Sequence, residues 1–594
     1  MTDMADSPSK YKDRVLAYTV YADGNKLDDS YLLVSAEVCL ELNRIGKAKL
    51  KFNAGNMDKQ VFDESDKKLF MPGSSIKLDI GEVNSQETIF EGVVTGLRIL
   101  TENDSRSYMV LECRDCVFAA TQGRKNRIFE NKTDSDIIKE ILSNYGSVDV
   151  EATQYKQSTL VQYYCSDWDF VLSRADACGL FVFTEGNKIL IKKPEMDGSP
   201  VLGVTYGEDI VAFNLELTAD DQFAQYQAVS WSPKTQEIVT ASATVQKYNK
   251  QGDLAPSKIA AGERMLLQTD APTEMDALKL WVGSMAQKSA LARYQGTLSF
   301  YGTGKVKPGS LIEIKGLGKR FNGNLFVGSV THVIKENEWI TEVGAGVSPL
   351  NITDEPDVVS PSASGLLPGM QGLHSAIVKK LDGDPLKQCR IQVELPWMDG
   401  KNKLLWVRLV SLYATNGSSL FFLPEIGDEL LVGFMNDDPT HPVAIGSFYG
   451  EKKKPPYEYE EKNNTKAIVT REKLTVIFDD DKKVITMNTP NGNSIKISDD
   501  GKCVSLKDQQ SNEIKMDNGG ISLISNKDIK LTAKGAITIN ANSKISCASK
   551  ADVSIEGTDV KVQAKVGVSV KGNATAELSA SGQTTVKGAM VMIN

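Results

Sequence analysis

From Ile521 to Thr558 the chain reads ISLISNKDIKLTAKGAITINANSKISCASKADVSIEGT, and an apolar-x-apolar unit returns in it every eight residues. The first apolar positions are Ile521, Ile529, Ile537, Ile545 and Val553. After one step of seven they resume at Val560, Val568, Ala576 and Thr584. The second positions are Leu523, Leu531, Ile539, Cys547 and Ile555, continuing as Val562, Val570, Leu578 and Val586. Looser copies precede them at Ile485/Met487, Ile495/Ile497, Val504/Leu506 and Ile514/Met516. Residues two apart share one face of a strand. The gaps between pairs hold Gly, Asn, Asp, Ser and Lys, which are turn and surface types.

Composition says how such a repeat closes a core. From Asn491 to Asn594 there is no Phe, Trp, Tyr, Pro, His or Arg. Aromatic rings supply much of the buried area of an ordinary globular core, so this stretch does not build one. A single-chain β-solenoid rung takes about 20 residues or more, and eight make only about a third of a turn. One chain would leave an apolar face and an open edge, which invite pairing. Three chains giving one octad each complete a rung of about 24 residues around a narrow interior that admits Ile, Val, Leu, Ala, Met and Thr. The period therefore predicts an intertwined homotrimeric β-prism. The alternatives are a single-chain β-helix with irregular rungs and a disordered tail, the latter opposed by the regular apolar period. The polar positions carry 13 Lys and 10 Asp or Glu from Asn491 onward. That mixture reads as a solvated face with no nucleic-acid role.

Upstream, residues 451–464 (EKKKPPYEYEEKNN) form a charged neck. Residues 371–450 read as a small barrel of the OB type. In it Cys389, Ile391, Val393 and Leu395 alternate with polar residues after the turn Asp382-Gly-Asp-Pro385, and Leu404–Val410 and Asp428–Phe434 follow as strands. Residues 351–370 (NITDEPDVVSPSASGLLPGM) form a linker poor in apolar surface. Residues 1–350 are β-rich with helical insertions. Strand signals are Tyr31–Ser35, Ser75–Ile80, Ile89–Val94, Leu180–Phe183, Lys307–Ile314, Leu325–Val330 and Trp339–Val343. Helices are expected from Asp134, stopped by Gly146, from Ser166 to near Gly179, and from Thr273, after Pro272, to Ala292. Ser166 and Asp169 have the spacing of a capping box with Asp in the Glu role.

Several function classes recede. The chain of 594 residues suggests about four domains. Its charge of -9 argues against a general nucleic-acid binder. No run of about 20 apolar residues marks a transmembrane helix, and Met1–Lys12 lacks the apolar stretch of a secretory signal. No Walker loop, GxSxG or HExxH motif occurs. Eight cysteines are scattered, and only Cys113-Arg-Asp-Cys116 has metal-like spacing. Without a second ligand pair, Cys113 reads as a buried strand thiol. His332, His374 and His441 lie far apart. Asp167 and Asp169 are a carboxylate pair at a helix start, where capping is the expected role. No catalytic, cofactor or metal residues are assigned.

The arrangement resembles the VgrG family, the spike proteins of contractile injection systems, related to phage tail hub and spike proteins. The resemblance rests on Pro424-Glu-Ile-Gly-Asp-Glu-Leu-Leu-Val-Gly-Phe434, on Asp437-Asp-Pro-Thr-His-Pro-Val-Ala-Ile-Gly-Ser-Phe-Tyr449, on Leu395-Pro-Trp397 and Trp406-Val-Arg408, and on Tyr163-Tyr-Cys-Ser-Asp-Trp-Asp-Phe170. It implies a mainly β fold with minor α: two barrel-like hub domains, an OB-fold barrel and a C-terminal intertwined trimeric β-helix over 465–594. It implies a hub seated on a hexameric inner-tube protein, with three subunits of two similar barrels presenting pseudo-sixfold symmetry. Baseplate proteins, effector cargo, a PAAR-like tip protein and transient contact with a target membrane complete the implied partners. The octad positions from Ile521 to Val586 are the expected trimer core. Met590, Met592 and Ile593 are an expected apolar plateau for the tip protein, or a plain end-cap of the core. With a short neck and an end at Asn594, the chain is expected to be a bare, non-enzymatic spike. Assembly is expected in the cytoplasm, with release outside the cell or into a target. A type VI system, a free extracellular particle and a phage tail all share this architecture. A glycan-cleaving β-helix and a receptor-binding tail protein are the alternatives of another class.

Overall fold

The computed structural model describes residues 7–8, 15–103, 106–247, 249–260, 262–269, 271, 273–356, 358–398 and 403–593. Pro272, expected to open a helix, lies outside them, as do Asp357 of the linker, Asn594 and most of Met1–Lys12. The chain divides into a unit spanning Met1–Phe448 and a second spanning Tyr449–Asn594.

The first unit is built on a 13-stranded sheet. Strand Gly323–Lys335 is long enough to serve two neighbourhoods. Its first part pairs with Leu311–Lys315, and Ser329–Lys335 pairs with Leu33–Glu41, Ser329 opposite Glu41 and Lys335 opposite Ser35. The sheet thus runs unbroken between two cores. One core gathers Val38, Leu50, Phe52, Phe70, Leu78, Met109 and Leu111; the other gathers Leu202, Val204, Leu298, Phe300, Ile312, Leu325 and Val343. Two barrel-like domains were expected here. Two separate cores share one sheet here, joined through the long strand. Among the described residues the one closed barrel lies further on.

Helical insertions attach to this sheet. Helix Asp134–Leu142 starts at a full capping box: Thr133 Oγ1 accepts from Asp136 N and Asp136 Oδ2 accepts from Thr133 N. Its apolar face, Ile137, Ile138, Ile141 and Leu142, is fully buried. It ends at Leu142, four residues short of Gly146, with Ser143 as its cap, whose hydroxyl donates to Lys139 O at 2.5 Å. The hydroxyl satisfies a terminal carbonyl without a left-handed residue. Helix Asp167–Ala177 ends differently: Leu180 N donates to Ala175 O and Gly179 N to Asp176 O, with Gly179 at φ 69°. That is a Schellman closure, in which glycine adopts the left-handed conformation without Cβ strain. Helix Met275–Leu291 covers one face of the sheet formed by Phe223–Ser232, Glu237–Thr244 and Gly262–Thr269.

The segment after Leu350 is tied to the hub. Arg44 donates to both Glu355 oxygens at 2.8 and 2.6 Å, Arg124 donates to Val359 O, and Val358 and Ala363 are buried. The closed barrel follows, with strands His374–Lys380, Arg390–Glu394, Leu404–Leu409, Pro442–Ser447 and Glu429–Phe434 in that order around it. Ala376, Val378, Ile391, Val393, Leu395, Val407, Leu430, Val432 and Ala444 fill it. Cys389 departs from the alternation that continues through Ile391: it precedes the strand at φ 57° and is exposed. The preceding turn is organised by Asp384, whose carboxylate accepts from Gln388 N, Arg390 N and the Arg390 guanidinium.

The second unit opens as a seven-stranded antiparallel meander running in chain order from Thr465–Val469 to Gly520–Ile524. The looser repeat copies were expected to belong to the octad winding. They form hairpins instead, because successive pairs from Ile485 to Ile514 stand nine or ten residues apart. That leaves room for a five-residue strand and a reversing turn. Beyond Ile524 no strand pairing occurs among the described residues of the single chain.

Candidate functional site: an apolar ladder on the C-terminal unit

The meander's register stacks its apolar residues. Ile468 lies opposite Val476, Phe478 opposite Ile485, and Met487 opposite both Val476 and Ile495. The ladder continues through Ile497 opposite Val504, Leu506 opposite Ile514, and Met516 opposite Ile521. The other face carries Thr486, Lys496, Ser505, Lys515 and Ser522 in equally strict register. A groove of about 780 Å³ opens on the apolar side, bordered by Ile468, Val476, Met487, Ile495, Leu506, Ile514 and Leu523. Ile468, Met487, Ile495, Ile497, Leu506, Ile514 and Met516 on this face keep two fifths or more of their surface exposed. Monomeric soluble proteins rarely leave so large an apolar face bare.

Turns at one end of the meander are tied to each other by side chains. Asn493 Oδ1 accepts from Gln509 N at 3.1 Å and Asn512 Oδ1 from Asn526 N at 3.0 Å. Asp508 accepts from Gln510 N, Asn512 N and Asn512 Nδ2. The Asn512 side chain, against burial and helped by the Asn512 and Gln510 backbone N–H groups, holds the Asp508 carboxyl below its ordinary range. These contacts explain why Asn and Asp fill the gaps between strands.

After Ile524 the sequence period becomes a geometric one. Bends fall at 526–527, 534–535, 542–543, 550–551 and 558–559, then, after a step of seven, at 565–566, 573–574 and 581–582. The step of seven falls where the apolar pairs make theirs. Ile529, Leu531, Ile537, Ile539, Ile545, Val553, Ile555, Val560, Val562, Val568, Val570, Leu578 and Val586 are all exposed in the single chain, from 52% for Val560 to 85% for Val570. Ile521 and Leu523 lie on the last meander strand and continue its ladder. Met590, Met592 and Ile593 are exposed too. Three members of the face, Ile468, Val476 and Phe478, escaped the repeat reading; the alternation in Leu474–Phe478 was the available signal.

The other sequence candidates resolve into structural roles. Cys113 is buried on strand Ser107–Arg114, and burial pushes its thiol up to about 12; burial also pushes Cys116 up to about 11. His332 is buried against Thr341 and Trp339, and burial pushes it down to about 4, so it is neutral at physiological pH. Ser166 Oγ accepts from Asp169 N at 3.0 Å, as the capping spacing predicts. Asp167, also expected at the cap, does something else. Its buried carboxylate accepts from Lys125 Nζ at 2.7 Å, Tyr145 Oη at 2.8 Å and Gln162 Nε2 at 3.0 Å, with Arg127 at 3.3 Å. It ties the antiparallel strand pair Lys125–Thr133/Lys156–Cys165 to the helix start.

Comparison with known proteins places this architecture. Residues 374–449 match the model of the type VI secretion system/phage-baseplate injector OB domain. Two curated relatives are spike proteins of the type VI secretion system from Pseudomonas aeruginosa, VgrG1b and VgrG1a. VgrG1b is 22% identical over 62% of this chain and 53% of its own length; VgrG1a is 21% identical over 65% and 63%. The chain thus spans between about half and two thirds of the length of these relatives. A solved 43 kDa tail protein of prophage MuSo2 from Shewanella oneidensis superposes with a TM-score of 0.44 at 13% identity, over 56% of this chain and 98% of that one. The two curated relatives and the OB-domain match bear out the resemblance to VgrG-type spike proteins. Residues 12–336, more than half of the chain, match the model of the Alg8 N-terminal domain, and the chain belongs to that family.

Proposed function

We propose that the chain is the central spike of a contractile injection system, and that three copies wind their octads into one β-helical needle. The observation that carries this reading is the coincidence of two periods: bends every eight residues, and an apolar pair between bends that one chain leaves uncovered. Three octads supply the roughly 24 residues that a closed rung takes, and closed threefold symmetry leaves no open edge. In this reading the barrel is the OB collar, and the hub is seated on a hexameric inner-tube protein within a baseplate. Met590, Met592 and Ile593 offer an apolar plateau to a PAAR-like tip protein. Assembly takes place in the cytoplasm, and sheath contraction drives the spike outward with effector cargo through a target membrane. The work is mechanical, done by a stiff rod, and no side chain performs catalysis. The names of VgrG1b and VgrG1a, both spike proteins in their own system, support the assignment.

Cys547 provides the test, since it stands at a second apolar position of the octad while Cys389 is exposed on the barrel. In the assembled protein, maleimide labelling mapped by peptide mass spectrometry is expected to modify Cys389 and to spare Cys547 by about tenfold or more, because thiol reactivity follows access. Equal labelling of the two would overturn the inward assignment.

A further inference from the structure

Three buried side-chain atoms without a hydrogen-bond partner meet at one junction of the first unit: Arg293 Nε, Gln251 Nε2 and Gln222 Oε1. Each of the three residues is 1% exposed. Hydrogen bonds bring their segments together. Thr218 N donates to Arg293 O at 3.0 Å and Gln222 Nε2 donates to Ser289 O at 2.8 Å, so the turn 218–222 covers the end of helix Met275–Leu291. The loop 249–254 closes on the same place. Arg293 Nη1 donates to Leu254 O at 3.4 Å, and a Cβ on Gly252 would lie 1.9 Å from Tyr294 Oη.

Arg293 is the anomaly. A guanidinium keeps its charge in a protein, and a buried charge is costly unless it is paired. Elsewhere the hub pairs the cations it takes inside: Arg174 Nε donates to Asp134 Oδ1 at 2.7 Å, and Lys288 Nζ lies 2.9 Å from Asp176 Oδ1. Arg293 forms no ion pair among the described residues. Its contacts are the long bond to Leu254 O and the Tyr294 ring, 5.0 Å away. The ring face attracts a cation but offers Nε no acceptor. Burial pushes the Arg293 guanidinium down, whereas at Arg174 burial is outweighed by the Asp134 carboxylate. A buried water accepts from an N–H group but brings no counter-charge.

We propose that this junction is a binding site for a halide-sized monovalent anion, held by Arg293 Nε and Gln251 Nε2. Two orphan donors, one of them cationic, set the sign of the ligand. The sealed walls set its size, because a phosphate or an organic carboxylate needs an open mouth. Gln222 Oε1, an acceptor, takes a water beside the ion. The bound ion ties the loop 249–254 to the end of the helix. The site lies within one chain.

Calorimetric melting of the full-length protein tests the site, with bromide raised from about 5 to about 150 mM and gluconate holding the ionic strength, and so the screening, constant. An ion that binds only the folded state raises stability with the logarithm of its concentration. The first-unit transition is expected to rise by about 2 °C or more in the parent and to stay still in Arg293→Met, which removes the charge and keeps an apolar stem. A parent transition indifferent to bromide, or an equal rise in Arg293→Met, overturns the proposal. Crystals of the parent grown in bromide give a second reading that needs no variant. An anomalous peak beside Arg293 Nε is expected, and water alone at that place overturns the proposal. A peak with no shift in melting is an adventitious ion only and overturns it as well.

Discussion

Asp167 shows how much one carboxylate organises. Burial works against its charge, but hydrogen bonds from Lys125, Gln162 and Tyr145 and the nearby Arg127 outweigh burial and hold its carboxyl below the usual range. A depressed folded value means that the ionised carboxylate stabilises the fold above the unfolded value, near pH 4, and that this contribution is lost as pH falls through the folded value. Asp167→Asn keeps the shape and removes the charge. It is expected to lower the stability of the first unit by about 2 kcal/mol, read as an earlier urea midpoint at pH 7, with the difference from the parent shrinking below pH 4. An unchanged midpoint at pH 7 would show that the network contributes nothing net. The cap made by Ser166 and Asp169 was legible in the sequence because its partners are three residues apart. Asp167's partners Lys125 and Tyr145 lie 42 and 22 residues away, and no local pattern announces them.

At the scale of elements, spacing decided between two β architectures. Pairs eight apart, as in Ile529 and Ile537, leave space for a strand and a bend; pairs nine or ten apart, as in Ile495, Val504 and Ile514, leave space for a strand and a reversal. Both were written in the sequence, yet the shared apolar-x-apolar unit hid the change of spacing. Cys389 and Gly146 teach the same lesson in reverse: each sits where the pattern pointed, but a local turn and a serine cap took over the role. Val568 belongs to the octads. Val568→Asp places a charge at a position that three copies would bury together, at a cost of about 3 kcal/mol or more per copy. The expected outcome is loss of the assembled species on sizing, with the hub still folded by circular dichroism. A variant that stays assembled with unchanged melting would contradict the inward placement of the first octad position.

For the whole molecule, the contrast between the two units is the guiding fact. The first has an aromatic-bearing core: Phe52, Phe70 and Phe300 are each fully inside. The second, from Asn491, has no aromatic residue and no buried apolar residue among those described. Its alternating apolar pairs followed from composition and period alone. The undivided hub sheet did not, because pairing of Leu33–Glu41 with Gly323–Lys335 joins segments nearly 300 residues apart. On the trimer proposal this openly displayed apolar repeat is one part of a larger core, and counting copies tests that most directly. Multi-angle light scattering of the purified full-length protein is expected to give three times 64.9 kDa. A stable particle of 64.9 kDa at micromolar concentration would contradict the account.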